Sequence, residues 1–218
     1  GGNDSDTITF YNLIIEGDNK ETRDVPLLDV VNDLTIDSGL NFGPEGADGA
    51  INVSGTALVS GTLDLNTGAG ADHIFGALNI KGVYNATARE TLLAGKTGRV
   101  LDQAGTYIHN DGLLHVSGGS QEFSGNGPFG PFYDLKSTGV NNEIRKNMTV
   151  ENSFIIASGW VRPTTTNATW TMGTDTSPAY ISGTAASPIK VHDAGTGAGN
   201  YFTVQASSSL FPVELKGY

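Results

Sequence analysis

Apolar and polar residues alternate over short stretches along nearly the whole chain. Ile51 and Val53, then Leu63 and Leu65, bracket Asn52 and Asp64. Leu114 and Val116 flank His115, and Met148 and Val150 flank Thr149. A period of two over three to five residues, broken by Ser-Gly and Asn-Gly-type turns, predicts short strands with one face buried. The runs follow one another closely, as at 51–53, 57–59 and 62–65. One stretch departs from the pattern. Ala86-Thr-Ala-Arg-Glu-Thr-Leu-Leu-Ala94 holds helix formers and a leucine pair closed by Gly95, and within 84–99 it predicts a short helix or a bulging loop.

A longer period overlies the short one. Phe10-Tyr-Asn-Leu13, Phe75-Gly-Ala-Leu78 and Phe132-Tyr-Asp-Leu135 open three comparable units. Downstream stand Asp48-Gly-Ala-Ile-Asn-Val-Ser-Gly55, Asp111-Gly-Leu-Leu-His-Val-Ser-Gly118 and Pro178-Ala-Tyr-Ile-Ser-Gly183. Each unit ends on a glycine turn: Gly68-Ala-Gly70, Gly125-Asn-Gly127 or Gly197-Ala-Gly199. Residues 1–209 thus divide into degenerate units at about 10–74, 75–131 and 132–201. A repeat of this kind predicts an all-β, right-handed parallel β-helix, a solenoid of coils of roughly 20 residues, about nine to ten coils and about 45 Å long. The alternative is a β-sandwich or jelly roll, which does not account for recurring loop signatures.

Composition supports many short strands joined by turns. Glycine supplies 30 of 218 residues, charged residues only 16%, and hydrophobic residues 38%, too many for a disordered low-complexity chain. A net charge of −11 opposes nucleic acid and anionic lipid, both of which need a basic footprint. No run approaches a membrane helix, so membrane insertion is not expected. The absence of cysteine excludes disulfides, thiolate metal sites and a cysteine nucleophile. The chain opens on Gly-Gly-Asn-Asp without a methionine, which suggests a mature or excised segment.

Gln121-Glu-Phe-Ser-Gly-Asn-Gly127, Phe132-Tyr-Asp-Leu135, Met148-Thr-Val150 and Phe154-Ile-Ile-Ala-Ser-Gly159 resemble the β-helical repeats of large bacterial secreted and cell-surface proteins, the adhesin-like passenger regions. The resemblance covers residues 5–205 and rests on degenerate motifs. Leu210-Phe-Pro-Val-Glu-Leu-Lys-Gly217 resembles the phrase that opens a linker domain in cargo of type IX secretion; residues 210–218 are then the start of that linker, or else the last strand of the solenoid. The resemblance implies an extracellular or cell-surface location. It also implies a structural or adhesive role without catalysis: a stalk, an adhesin or a filament subunit.

Candidate chemistry is sparse. Gly1-Gly-Asn-Asp-Ser-Asp-Thr-Ile-Thr9 and Thr67-Gly-Ala-Gly-Ala-Asp-His-Ile-Phe75 come close to the calcium-binding nonapeptide, with Asp4, Asp6 and Asp72 as its carboxylates. The two matches lie far apart and each lacks a glycine of the pattern. A turn needing positive φ accounts better for the glycines, so no cofactor is expected and calcium is the one metal candidate. Asp64, Asp72, Asp102 and Asp111 are candidate acids for a polysaccharide-degrading enzyme of the same fold, though no spacing pairs them. His73, His109, His115 and His192 show no zinc spacing, and His115, between two apolar residues, should face solvent. Trp160, Trp170 and Tyr180 cluster in the third unit and form the best candidate patch for a glycan or cell-surface ligand, unless Trp170 caps the core. The expected partners are such a ligand and other copies of the chain, met end to end or side by side where a solenoid's end ladder is left uncapped.

Overall fold

The computed structural model describes residues 7–17, 20–23, 27–45, 49–66, 70–95, 98–125, 129–139, 141–144, 146–158, 160–163, 168–173, 180–183, 202–206 and 214–217. Every strand pairing among them is parallel, and the strands stack on three sides. The first side carries Thr7–Phe10, Leu27–Val30, 50–53, 73–75, Glu90–Leu93, Leu113–Val116, 134–137, 153–156, Tyr180–Gly183 and Glu214–Gly217. The second carries Leu13–Ile15, Leu34–Ile36, 56–59, 77–80, Gly98–Gln103, Gln121–Ser124, Asn141–Ile144 and Trp160–Pro163. The third begins with Lys20–Arg23, Asn41–Glu45, Thr62–Asp64, Val83–Asn85 and Thr106–Ile108. Phe132 then packs on Tyr107, and 129–132, 148–150, Ala168–Met172 and Phe202–Ala206 follow.

This is the expected β-solenoid. An aligned sandwich or jelly roll would be built from antiparallel pairs, and none is found among the described strands. The described core makes about six turns, fewer than the nine to ten coils expected. Its buried hydrophobic residues run from Ile15 to Ile181, and Thr7–Phe10 and Glu214–Gly217 extend the first side beyond them. The phrase at 210–217 therefore contributes a strand, Glu214–Gly217, paired with Tyr180–Gly183.

Alternation fixes which residues fill the interior. On the first side Leu28, Ile51, Leu114, Leu135, Phe154 and Ile181 occupy one inward column, and Val30, Val53, Phe75, Leu93, Val116 and Ile156 a second, all buried. Burying one such side chain contributes about 1.5–3 kcal/mol. Aromatic rings also stack from turn to turn. Tyr84 lies 5.3 Å from Tyr107, which meets Phe132 edge-on at 5.1 Å. Polar groups that enter the core bring partners with them. The buried Gln103 amide accepts a hydrogen bond from the Gly130 N–H and donates one to the Gly130 carbonyl, both at 3.0 Å, much as a strand neighbour would.

Among the Ser-Gly signature glycines, a Cβ on Gly55 would stand 2.4 Å from the Asn32 carbonyl oxygen, and Gly118 takes a φ of 132°. A Cβ on Gly82 would stand 2.0 Å from the carbonyl oxygen of Gly61, one turn away, and a Cβ on Gly105 would stand 2.1 Å from that of Gly82. Close approach of stacked backbones, rather than positive φ, is what requires glycine at this corner. The turn at Gly70 does take positive φ, at 72°.

Two local expectations change. Residues 86–94 contain no helix: Glu90–Leu93 is an ordinary strand of the first side, with Thr91 and Leu93 buried. The pairing energy and the buried face override helix propensity there. The unit starts are also not all equivalent. Phe10 and Phe75 share one column, linked through Val30 and Val53, whereas Phe132 pairs with Val150, which in turn pairs with Met172, on the third side.

Candidate functional site on the first side

Several polar ladders converge at the corner between the third and first sides. Asn110 donates to Asn85 Oδ1 at 2.7 Å and to the Ala86 carbonyl at 2.7 Å, and Asn85 in turn donates to Asp64 Oδ1 at 2.7 Å. This ladder ties three successive turns together. It also pins Asn110 and Asp111 in the left-handed region, with φ of 46° and 60°, which short polar residues tolerate best.

Beside that ladder sits His109. Its Nδ1 accepts the Asp111 N–H at 2.9 Å, so the ring proton lies on Nε2, which faces Glu151 Oε2 at 3.2 Å. Tyr133, in the turn between them, stacks on the imidazole with ring centroids 5.7 Å apart. The Asp111 carboxylate lies 3.6 Å from the ring and is itself well exposed. One turn further, Asp134 accepts hydrogen bonds from Asn152, at 2.8 Å, and from the Ser153 hydroxyl.

A second histidine lies on the flat of the same side. His115 points outward, as the alternation requires, but its side chain is only 14% exposed. Its Nδ1 meets Glu90 Oε1 at 2.6 Å, and its Nε2 meets Thr138 Oγ1 at 2.7 Å. The three residues come from consecutive turns, each displaced two residues along its strand from the last. The short contact places the ring proton on Nδ1, which donates to the glutamate, and leaves Nε2 to accept from the threonine hydroxyl, which also lies 3.5 Å from the Val116 carbonyl oxygen.

The residues expected from sequence are distributed otherwise. Trp170 is fully buried and meets Phe154 edge-on at 5.6 Å, so its ring is not offered to a ligand. It is a core residue because it alternates with Met172 along an inward column that continues Met148 and Val150. Trp160 stands in a second-side strand beside Asn141, and Tyr180 in a first-side strand beside Ser153. The side chains of both lie outside the described residues, as do Asp4, Asp6 and His192. Asp72 is exposed and accepts the Glu90 N–H at 3.2 Å, holding the start of the next strand. Asp64 serves the amide ladder, and Asp111 is the only one of the candidate acids in contact with a histidine among the described pairs. No group of three or more His, Asp or Glu able to hold a metal occurs among the described residues.

His73 is placed differently from the other two. It faces inward, fully buried, with Nδ1 accepting the Ile51 N–H at 3.1 Å and Nε2 enclosed without a hydrogen-bond partner in the protein. Burial lowers its pKa to about 4, against the opposing pull of Asp72.

Glu90, Thr138, Tyr133 and Glu151 did not stand out in the sequence. The separations of 25 residues from Glu90 to His115 and 23 from His115 to Thr138 carry the signal, but only once the length of a turn is known. No protein-family model matches the chain, and neither does any curated protein or solved structure.

Proposed function

We propose that the chain is an extracellular structural or adhesive module of a bacterial surface protein: a stalk, adhesin or filament subunit. The observation that carries this reading is the unbroken parallel ladder of the first side, locked turn to turn by buried columns and by the Asp64–Asn85–Asn110 amide ladder. Such a stack resists bending and shear, because each turn contacts only its neighbours through a full set of parallel hydrogen bonds. The edge at Thr7–Phe10 supports end-to-end self-association. Ile8 and Phe10 are 41% and 40% exposed, while Leu28 and Val30 in the same columns are 2% and 0%. Among the described residues these two side chains offer an apolar surface that a further coil or a second copy would cover. The reading predicts that antibodies against the chain label intact, unpermeabilised cells that produce it. Labelling seen only after the cells are opened would overturn it.

A second reading, a polysaccharide-binding or polysaccharide-degrading protein on the same scaffold, is favoured by one observation. Tyr133, His109, Glu151 and Asp111 gather at one corner, where a ring face and carboxylates suit a sugar.

A further inference from the structure

The Glu90–His115–Thr138 array has the order of a nucleophilic relay. A carboxylate holds one imidazole nitrogen at 2.6 Å, and the other nitrogen holds a hydroxyl at 2.7 Å. That is the arrangement in which an imidazole removes a hydroxyl proton while a carboxylate fixes its tautomer and stabilises the imidazolium. The histidine is 14% exposed and the glutamate 34%, so the relay is partly shielded from water yet open to a substrate. Thr138 is half-buried, and its neighbours in the adjoining turns, Ser117 and Ala157, are short. Lys136 is the register partner of His115 and stands two residues before Thr138 on the same strand, between the buried Leu135 and Ser137. It therefore shares the outward face with Thr138.

We propose that Thr138 is a nucleophile for short-chain carboxylic esters, with His115 as its base, Glu90 as the positioning residue and Lys136 as the charge that meets the oxyanion. Thr138 Oγ1 attacks the ester carbonyl carbon as its proton passes to His115 Nε2. The carbonyl electrons move onto the oxygen facing Lys136, then return as the C–O bond to the alcohol breaks. The departing alkoxide takes the proton from His115. Water then attacks the acyl-threonine, giving its proton to His115, and the carboxylic acid leaves as the proton returns to Thr138. This activity goes beyond the structural role proposed above and does not depend on it.

The test uses the purified chain, 4-nitrophenyl acetate and a fluorophosphonate probe whose attachment point is read by peptide mass spectrometry. The expected result is turnover with the label on Thr138. Thr138→Val, which keeps the shape of the side chain, loses the label and falls about a hundredfold in turnover. Thr138→Ser retains both, and Glu90→Gln slows turnover while leaving the hydroxyl in place. Circular dichroism of each variant guards against unfolding. Wild-type turnover no faster than that of folded Thr138→Val, or a label placed elsewhere, would overturn the proposal. If Thr138→Val does not fold, equal turnover by wild type and folded Glu90→Gln overturns it as well.

Discussion

Trp170→Ala is expected to lower the unfolding free energy by about 3–5 kcal/mol, seen as a fall in the urea midpoint. The indole is fully buried, in register with Met148 and edge-on to Phe154. Truncation removes a large apolar surface and leaves a cavity that a stacked parallel sheet cannot close, because strand spacing is fixed by the ladder. Trp170→Phe keeps most of the volume and should cost much less. This prediction also separates two roles for the residue. A ligand-stacking tryptophan would lose binding with little loss of stability, whereas a core tryptophan loses stability first.

The second large effect concerns acid. His73 titrates at about 4 in the folded protein, chiefly because burial penalises its charged form. Its ordinary value is about 6.5. Between these values the unfolded chain binds the proton and the folded chain does not, so stability falls as pH drops from about 6.5 towards 4. Above 6.5 the contribution is constant. The shift corresponds to about 3 kcal/mol over that window. Carboxylates titrate in the same range, so the informative quantity is the difference from a variant. His73→Leu should be less stable than wild type at pH 7, since the Ile51 N–H loses its acceptor. It should, however, lose about 3 kcal/mol less than wild type on going to pH 4. Parallel pH profiles for the two proteins would show that the imidazole is not held neutral.

These two residues mark how far the sequence could be read. Strand alternation was legible because it follows from the geometry of a half-buried strand. Ile51 and Val53 point inward, and Asn52 between them points out. The solenoid followed from the repeat, but the number of turns did not, because turn length varies. It is 20 residues from Thr7 to Leu27, 18 from Phe75 to Leu93 and 23 from Leu93 to Val116. The same variation moved Phe132 off the column of Phe75 and hid the diagonal from Glu90 through His115 to Thr138. Propensity misled at 86–94, where the residues that favour a helix also alternate and the ladder decides. Candidate chemistry was sought in aromatic clusters and acidic turns. The structure gathers it around two histidines, whose partners come from neighbouring turns and not from neighbouring sequence.

Parallel register from turn to turn defines the fold, and engineered cysteines test that register directly in a chain that has none of its own. Leu58 and Asn79 are register partners on the second side, and both point away from the buried columns. Leu58→Cys combined with Asn79→Cys should close a disulfide under mild oxidation, since neighbouring parallel strands place such Cα atoms about 4.8 Å apart. Leu58→Cys combined with Ala77→Cys, offset by two residues on the same face, should remain as free thiols. Closure of the offset pair with the register pair left open would contradict the parallel solenoid, as would failure of the register pair to close in a folded protein.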